Sequence, residues 1–267
     1  MSISRLQQMK RDGRKIVAVV AYDCQIAAIA DRAGVDMLSV GDSVGINLWG
    51  HRSELEVTLD QMILACRAVR RGAEHALVSC DFPFGPLQEG PEPAVRAAIA
   101  LVKEGGADLV KLDGASAFPD AVRAITRAGI PVWAQFGITP QTALKYGGMT
   151  SAGPDLAMDM KERLIEEARV LEAAGAALLD FTNSGPVAGA AVTESISIPV
   201  IGGLGGGPWL DGRVRMAFAA IGYLASALDD QVERYANVAQ TALEALKGFA
   251  DDVRSGRQIK GAARPKG

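Results

Sequence analysis

Short, continuously apolar runs alternate with amphipathic or alanine-rich stretches along the whole chain. The runs fall at Ile16–Tyr22, Met37–Val40, Ala76–Asp81, Leu109–Asp113, Val132–Phe136, Ala177–Thr182, Val200–Gly203 and, less distinctly, Val214–Phe218. Helices are expected between them, near 24–33, 58–71, 92–105, 117–128, 157–174 and 187–196. A strand that is apolar throughout is buried on both faces, and helices between such strands imply a parallel sheet. Joins such as AGVDML, GGADLV, AGIPV and AGAALL stop a helix at Gly or a turn and send the chain back into the sheet. Eight such strands favour a closed (β/α)₈ TIM barrel, an α/β fold, over an open doubly wound sheet. No linker-like stretch divides the chain, so one domain is expected over 1–254. It would end in an extra C-terminal helix, Leu228–Arg254, whose stripe of Val232, Tyr235, Val238, Ala239, Ala242 and Leu246 should bury against the barrel or a neighbour. The basic tail at 255–267 is expected to be disordered.

Composition agrees with that fold and removes several functions. The 267 residues, 49% hydrophobic with 30 glycines and only 5% aromatics, suit a barrel built from Val, Ile, Leu and Ala. A net charge of −3 with mixed signs gives no basic stripe for nucleic acid. Cys24, Cys66 and Cys80 form neither a CxxC pair nor an even framework, which suits a reducing compartment. The N-terminus lacks a signal-peptide apolar run, and no stretch approaches a membrane span. A cytoplasmic enzyme without a membrane partner is expected.

In such a barrel the chemistry sits where strands end. The second run ends in Gly41-Asp42-Ser43, the third in Asp81, and the fourth in Lys111-Leu112-Asp113 with Lys111 and Asp113 on one side. The fifth carries Gln135, and the sixth carries Asp180 and Thr182, again two apart. A single strand-end Asp is usually a cap or turn former. Three in succession would repel one another unless a cation lay among them, and all-oxygen ligands select Mg²⁺. Asp42, Asp81 and Asp113 are therefore the candidate metal ligands, and two histidines, His51 and His75, are too few for a zinc site. Lys111 has three readings: an ammonium for a substrate carboxylate or enolate oxygen, a Schiff-base amine, or a structural partner of Asp113 or Asp81. Adjacent carboxylates would keep it protonated, against the Schiff base. The glycine run Gly202–Gly207 lets backbone amides approach an anion but forms no dinucleotide fingerprint. His51 lies in a loop that can reach the site or stay at the surface.

At these residues the chain resembles the ketopantoate hydroxymethyltransferases of the phosphoenolpyruvate mutase/isocitrate lyase superfamily. AYD at 21–23, VGDSVG at 40–45, GH at 50–51, DFPF at 81–84 and GGADLVKLDG at 105–114 look like that family's motifs. GITPQ at 137–141, GG at 147–148, LEAAGA at 171–176, IPVIGGLGGG at 198–207 and DG at 211–212 continue the match in order. The resemblance implies Mg²⁺ at Asp42 and Asp81, a small 2-oxoacid whose carboxylate meets Ser43, and a substrate-binding Lys111. It further implies methylenetetrahydrofolate as one-carbon donor and a homo-oligomer, typically a decamer.

The chain departs from the family in the proton-transfer half of the site. Asp113 replaces a longer Glu, Gln135 replaces a His, Phe218-Ala219 replaces a His-Asp pair, and Thr182 stands where the proton-abstracting Glu is expected. Asp180 offers a substitute carboxylate about 6–7 Å deeper on the same face. Asp180, Thr182 and Lys111 are thus the candidate catalytic residues. Ser43, Asp42, Asp81, Lys111 and Gln135 are the candidate substrate contacts. Two rivals stay open: an aldolase or carbon–carbon lyase of altered specificity, and a catalytically silent paralogue that binds a 2-oxoacid.

Overall fold

A computed structural model of the chain describes residues 1–147, 160–182, 185–203 and 207–261. The chain divides into two compact units, Met1–Arg215 and Met216–Gly267. The first holds the expected barrel: eight parallel strands close in sequence order. They are β1 Ile16–Val20, β2 Met37–Val40, β3 Leu77–Asp81, β4 Leu109–Leu112, β5 Val132–Gly137, β6 Leu178–Thr182, β7 Val200–Gly202 and β8 Gly212–Met216.

The eighth strand begins two residues earlier than expected. Its Gly212 and Val214 are buried while Arg213 and Arg215 are exposed, so the strand alternates and its polar letters disguise it. Gly212 is required there, because a Cβ would lie 2.4 Å from the Ile16 carbonyl oxygen where the last strand meets the first.

Inward residues sort into levels. At the N-terminal end of the strands, Ile16, Met37, Leu77, Leu109, Trp133, Leu178 and Ile201 form one apolar cluster with Leu6 and Met9. Those last two come from an unexpected helix, α1, Ile3–Arg11, whose apolar positions recur every three residues and whose start is capped by the Ser2 hydroxyl. It buries Leu6 and Met9 in the floor of the barrel. Two residues further along β2 to β6, the inward positions turn polar: Ser39, Ser79, Lys111, Gln135 and Asp180. Register pairs Asp81 with Lys111 and Gln135 with Asp180, which sets these side chains beside one another.

The helix expected near 92–105 is α-helical over Pro91–Ala100 and continues as a π turn through Gly105. Those near 117–128, 157–174 and 187–196 fall at Pro119–Arg127, Lys161–Ala173 and Gly185–Ser195, with 157–159 outside the described residues. In the second unit the final helix is shorter than expected, Val238–Arg254. Val232 and Tyr235 precede it on irregular chain, held in part by Arg234 bonding Asp230 and the Val232 carbonyl. Of the expected stripe only Ala239 is buried, while Leu246, Phe249 and Val253 on the helix are more than half exposed. No helix among the described residues is long and apolar enough to cross a membrane.

Candidate active site

The site is built from the ends of β2 to β6. After β2 the chain turns through Gly41, where a Cβ would lie 2.8 Å from Ser43 Oγ and 3.2 Å from Val20. That close approach brings Asp42 and Ser43 over the barrel mouth. Ser43 is hydrogen-bonded to the Tyr22 hydroxyl at 2.8 Å, and Asn47 Nδ2 donates to the same hydroxyl at 3.3 Å. Burial pushes Tyr22 up to about 12, so it remains a neutral phenol.

Lys111 is the electrostatic centre. Its Nζ lies 3.4 Å from Asp81 Oδ2 and 3.1 Å from Asp180 Oδ2, above the Trp133 ring with 5.4 Å to the centroid. Burial opposes its charge, but Asp81, Asp180 and Asp42 together hold the ammonium above its ordinary pKa. The expected pairing with Asp81 is present. The partner on the other side is Asp180 rather than Asp113, because Asp113 lies two residues beyond Lys111 and is engaged elsewhere. Its carboxylate accepts the Thr139 hydroxyl and, at 3.3 Å, the Gln141 backbone N–H. Burial still raises Asp113 to about 6.

Asp42 is buried and accepts Gln141 Nε2 at 2.8 Å. Burial, followed by the neighbouring Asp81 charge, raises it to about 8. Asp81 and Asp180 are also raised by burial, against the pull of Lys111. On the opposite side, Gln135 Nε2 donates to the Thr182 hydroxyl at 3.0 Å, and both side chains are buried. Thr182 is therefore bonded to Gln135, and the carboxylate of Asp180 is directed at Lys111.

The expected trio of Asp42, Asp81 and Asp113 is not gathered into one cluster. Among the described residues no three His, Cys, Asp or Glu side chains are close enough to hold a metal by themselves. The turn of Asp113 towards Thr139 and Gln141 is the physical reason. Asp42 and Asp81 nevertheless suit a hard cation. Four buried carboxylates lie within electrostatic reach of the Lys111 ammonium, and one ammonium cannot offset them all. Burial above all, with a smaller share from their mutual repulsion, raises their proton affinities, and a divalent ion with oxygen ligands would offset both.

Sequence reasoning missed Tyr22, Thr139 and Gln141 as site residues, although AYD and GITPQ contain them. Of the glycine run, Gly202, Gly203 and Gly207 are described, and 204–206 lie outside the described residues. His51 accompanies Trp49, with ring centroids 5.8 Å apart, in the loop after β2.

Residues 1–258 match the family described as ketopantoate hydroxymethyltransferase. A 3-methyl-2-oxobutanoate hydroxymethyltransferase of Cyanothece sp. is 40% identical over 96% of this chain and 97% of its own length. One from Geobacillus kaustophilus is 38% identical over 92% and 87%. Among solved structures, 2,3-dimethylmalate lyase superposes with a TM-score of 0.61 at 16% identity, covering 99% of this chain and 91% of that one. Phosphonopyruvate hydrolase in complex with oxalate and Mg²⁺ gives 0.60 at 13%, covering 100% and 93%. At such identities the structural likeness speaks for the fold.

Proposed function

The chain belongs to the ketopantoate hydroxymethyltransferase family, and on that premise we propose a cytoplasmic, homo-oligomeric enzyme that adds a hydroxymethyl group to the enolate of a small 2-oxoacid. The observation that carries this reading is the excess of buried carboxylate around Lys111 at the strand ends. Asp42 and Asp81 would hold a divalent cation such as Mg²⁺, which when bound polarises a carbonyl oxygen and offsets charge developing there. Asp113 supports that side through the Thr139–Gln141 segment. Ser43, oriented by Tyr22, offers its hydroxyl to the substrate carboxylate. Lys111, kept protonated, supplies a fixed positive charge for the same carboxylate or for the enolate oxygen.

Proton removal from C3 falls to Asp180, directly or through one water. Burial strengthens it as a base while Lys111 weakens it. Thr182 and Gln135 form a neutral pair whose hydroxyl and amide can orient water or substrate but cannot take that proton at neutral pH. With methylenetetrahydrofolate as donor, one water replaces both C–N bonds of the methylene, giving formaldehyde and free tetrahydrofolate. The enolate carbon then bonds to the formaldehyde carbon, whose C=O π bond opens, and the resulting alkoxide takes up the proton removed from C3 to become the hydroxyl. Supporting self-association, Leu246, Phe249 and Val253 form an exposed apolar stripe on the last helix. A monomeric mass by light scattering at micromolar concentration would remove that part of the reading.

Deuterium exchange at C3 of a 2-oxoacid, followed by NMR, tests the base. The parent should exchange, and Asp180→Asn should lose about 10²-fold or more of that rate. Undiminished exchange in Asp180→Asn excludes Asp180. An inert parent that gains exchange on Thr182→Glu marks a protein whose base was lost without replacement, and points to ligand binding in place of catalysis.

A further inference from the structure

Gln141 closes the GITPQ stretch, and the reaction above gives its side chain no part. Its side chain is buried, and its Nε2 lies 2.8 Å from Asp42 Oδ2 and 2.9 Å from the Phe82 carbonyl oxygen. A carbonyl can only accept, so the amide orientation is settled by Phe82. The two Nε2 protons are then spent, one on the main chain beyond β3 and one on the Asp42 carboxylate. The Phe82 main chain is itself anchored, its N–H donating to the Lys111 carbonyl at 2.8 Å. At the same residue the Gln141 backbone N–H reaches Asp113 Oδ2 at 3.3 Å, next to the Thr139 hydroxyl on the other oxygen. One residue after β5 thus joins the ends of β2, β3 and β4.

The choice of an amide has a chemical consequence. A lysine at this position would neutralise Asp42, and a glutamate would face two acceptors. A neutral N–H donor fixes one carboxylate oxygen and leaves the charge in place. An aspartate so held presents its other oxygen in one orientation and need not be ordered when a cation arrives.

We propose that Gln141 is a positioning residue for the cation site, aligning Asp42 from the opposite loop while its own backbone steadies Asp113. The inference rests on the assignment of a divalent cation to Asp42 and Asp81. Loss of a hydrogen bond behind a ligand commonly weakens metal binding by about 10- to 100-fold.

The test is a titration of the full-length protein with Mn²⁺ alone, counting free ion by its electron paramagnetic resonance signal, for the parent, Gln141→Met and Gln141→Leu. Methionine keeps the length and leucine much of the volume, and both lose the two donors without adding a charge. Both variants should bind Mn²⁺ at least about 10-fold more weakly while melting near the parent temperature. In steady-state assays KM for the 2-oxoacid at limiting cation should rise more than kcat falls. A side chain that merely fills space would leave Mn²⁺ affinity within twofold in one or both folded variants, and that result overturns the inference alone. A parent that binds no Mn²⁺ overturns the cation assignment and the inference with it. If Gln141→Met fails to fold, Gln141→Leu decides; failure of both assigns Gln141 to the fold and also overturns its role in the site.

Discussion

Aspartates occupy both ends of this barrel, and the two groups behave in opposite ways. At the N-terminal ends of strands, Asp36, Asp108 and Asp211 each stand immediately before a strand and accept a backbone N–H of the strand before it. Asp36 takes Val17 at 2.9 Å, Asp108 takes Val78 at 2.8 Å and Asp211 takes Val200 at 2.8 Å. Asp31 accepts the N–H groups of His75 and Ala76 and the His75 imidazole. Burial alone would raise Asp31, but those donors carry it well below the ordinary carboxylate range. At the C-terminal ends Asp42, Asp81, Asp113 and Asp180 have too few donors and one shared ammonium, and all four are raised. Donor supply is the difference. Where backbone N–H groups are free to be stitched, a carboxylate stabilises the fold. Where charge is left over, the carboxylates have the perturbed proton affinity that marks a candidate functional site.

The largest expected effect breaks the symmetry most directly. Asp42→Asn and Asp81→Asn each remove a proposed cation ligand from the crowded end, so kcat/KM for hydroxymethyl transfer should fall about 10³-fold, matching the several kcal/mol a bound cation contributes. Stability should change little, since each replaced carboxylate is buried at a cost that its partners only partly offset. EDTA should abolish the parent's activity. Calorimetry supplies the second axis: a marked drop in Tm for either variant would mean that these aspartates are staples like those at the other end.

That contrast also explains what the sequence could and could not disclose. Continuous apolar runs mark buried parallel strands whichever way their helices pack, so seven strands and the barrel were legible. The eighth was displaced because DGRVR alternates, and the helix Ile3–Arg11 was hidden by a mostly polar sequence in which only Ile3, Leu6 and Met9 are apolar. That Asp42 and Asp81 lie where strands end was legible from the runs, and that Lys111 and Asp180 face inward was legible from the strand period. Partnership was not. Nothing in the spacing says that Lys111 chooses Asp180 over Asp113, since that depends on Thr139 and Gln141 arriving from the next loop. Nor does an Asp announce at which end of a strand it lies. AGVDML and VGDSVG both contain one, and only the structure separates staple from site.

Lys111 tests whether the crowded end depends on one cation for its integrity. Lys111→Met leaves Asp81 and Asp180 buried without their shared partner, which should cost about 3 to 5 kcal/mol in urea unfolding at pH 7. Activity should be lost as well. In the parent, borohydride should trap no substrate on Lys111, because an amine held protonated is no nucleophile. Covalent trapping would reassign the carboxylates from a cation site to the control of a Schiff base.

The smallest effect concerns the satisfied end. Asp31→Asn can keep its oxygen on the N–H groups of His75 and Ala76, but its NH₂ then faces the His75 imidazole and the charge on these donors is lost, which should cost about 2 kcal/mol at neutral pH. Activity per folded molecule should stay near the parent's. The pH dependence fixes the sign. Asp31 has a lower pKa folded than unfolded, so its contribution is fully present above the unfolded value of about 3.9 and fades as pH falls towards the folded value. Asparagine does not titrate in that range. Urea unfolding of both proteins at pH 7, 5 and 3 should therefore give an equal gap at the first two and a narrower one at the third. A gap that widens at pH 3 would show that Asp31 carries its proton in the folded protein, and the division between the two ends would fail at its best-satisfied carboxylate.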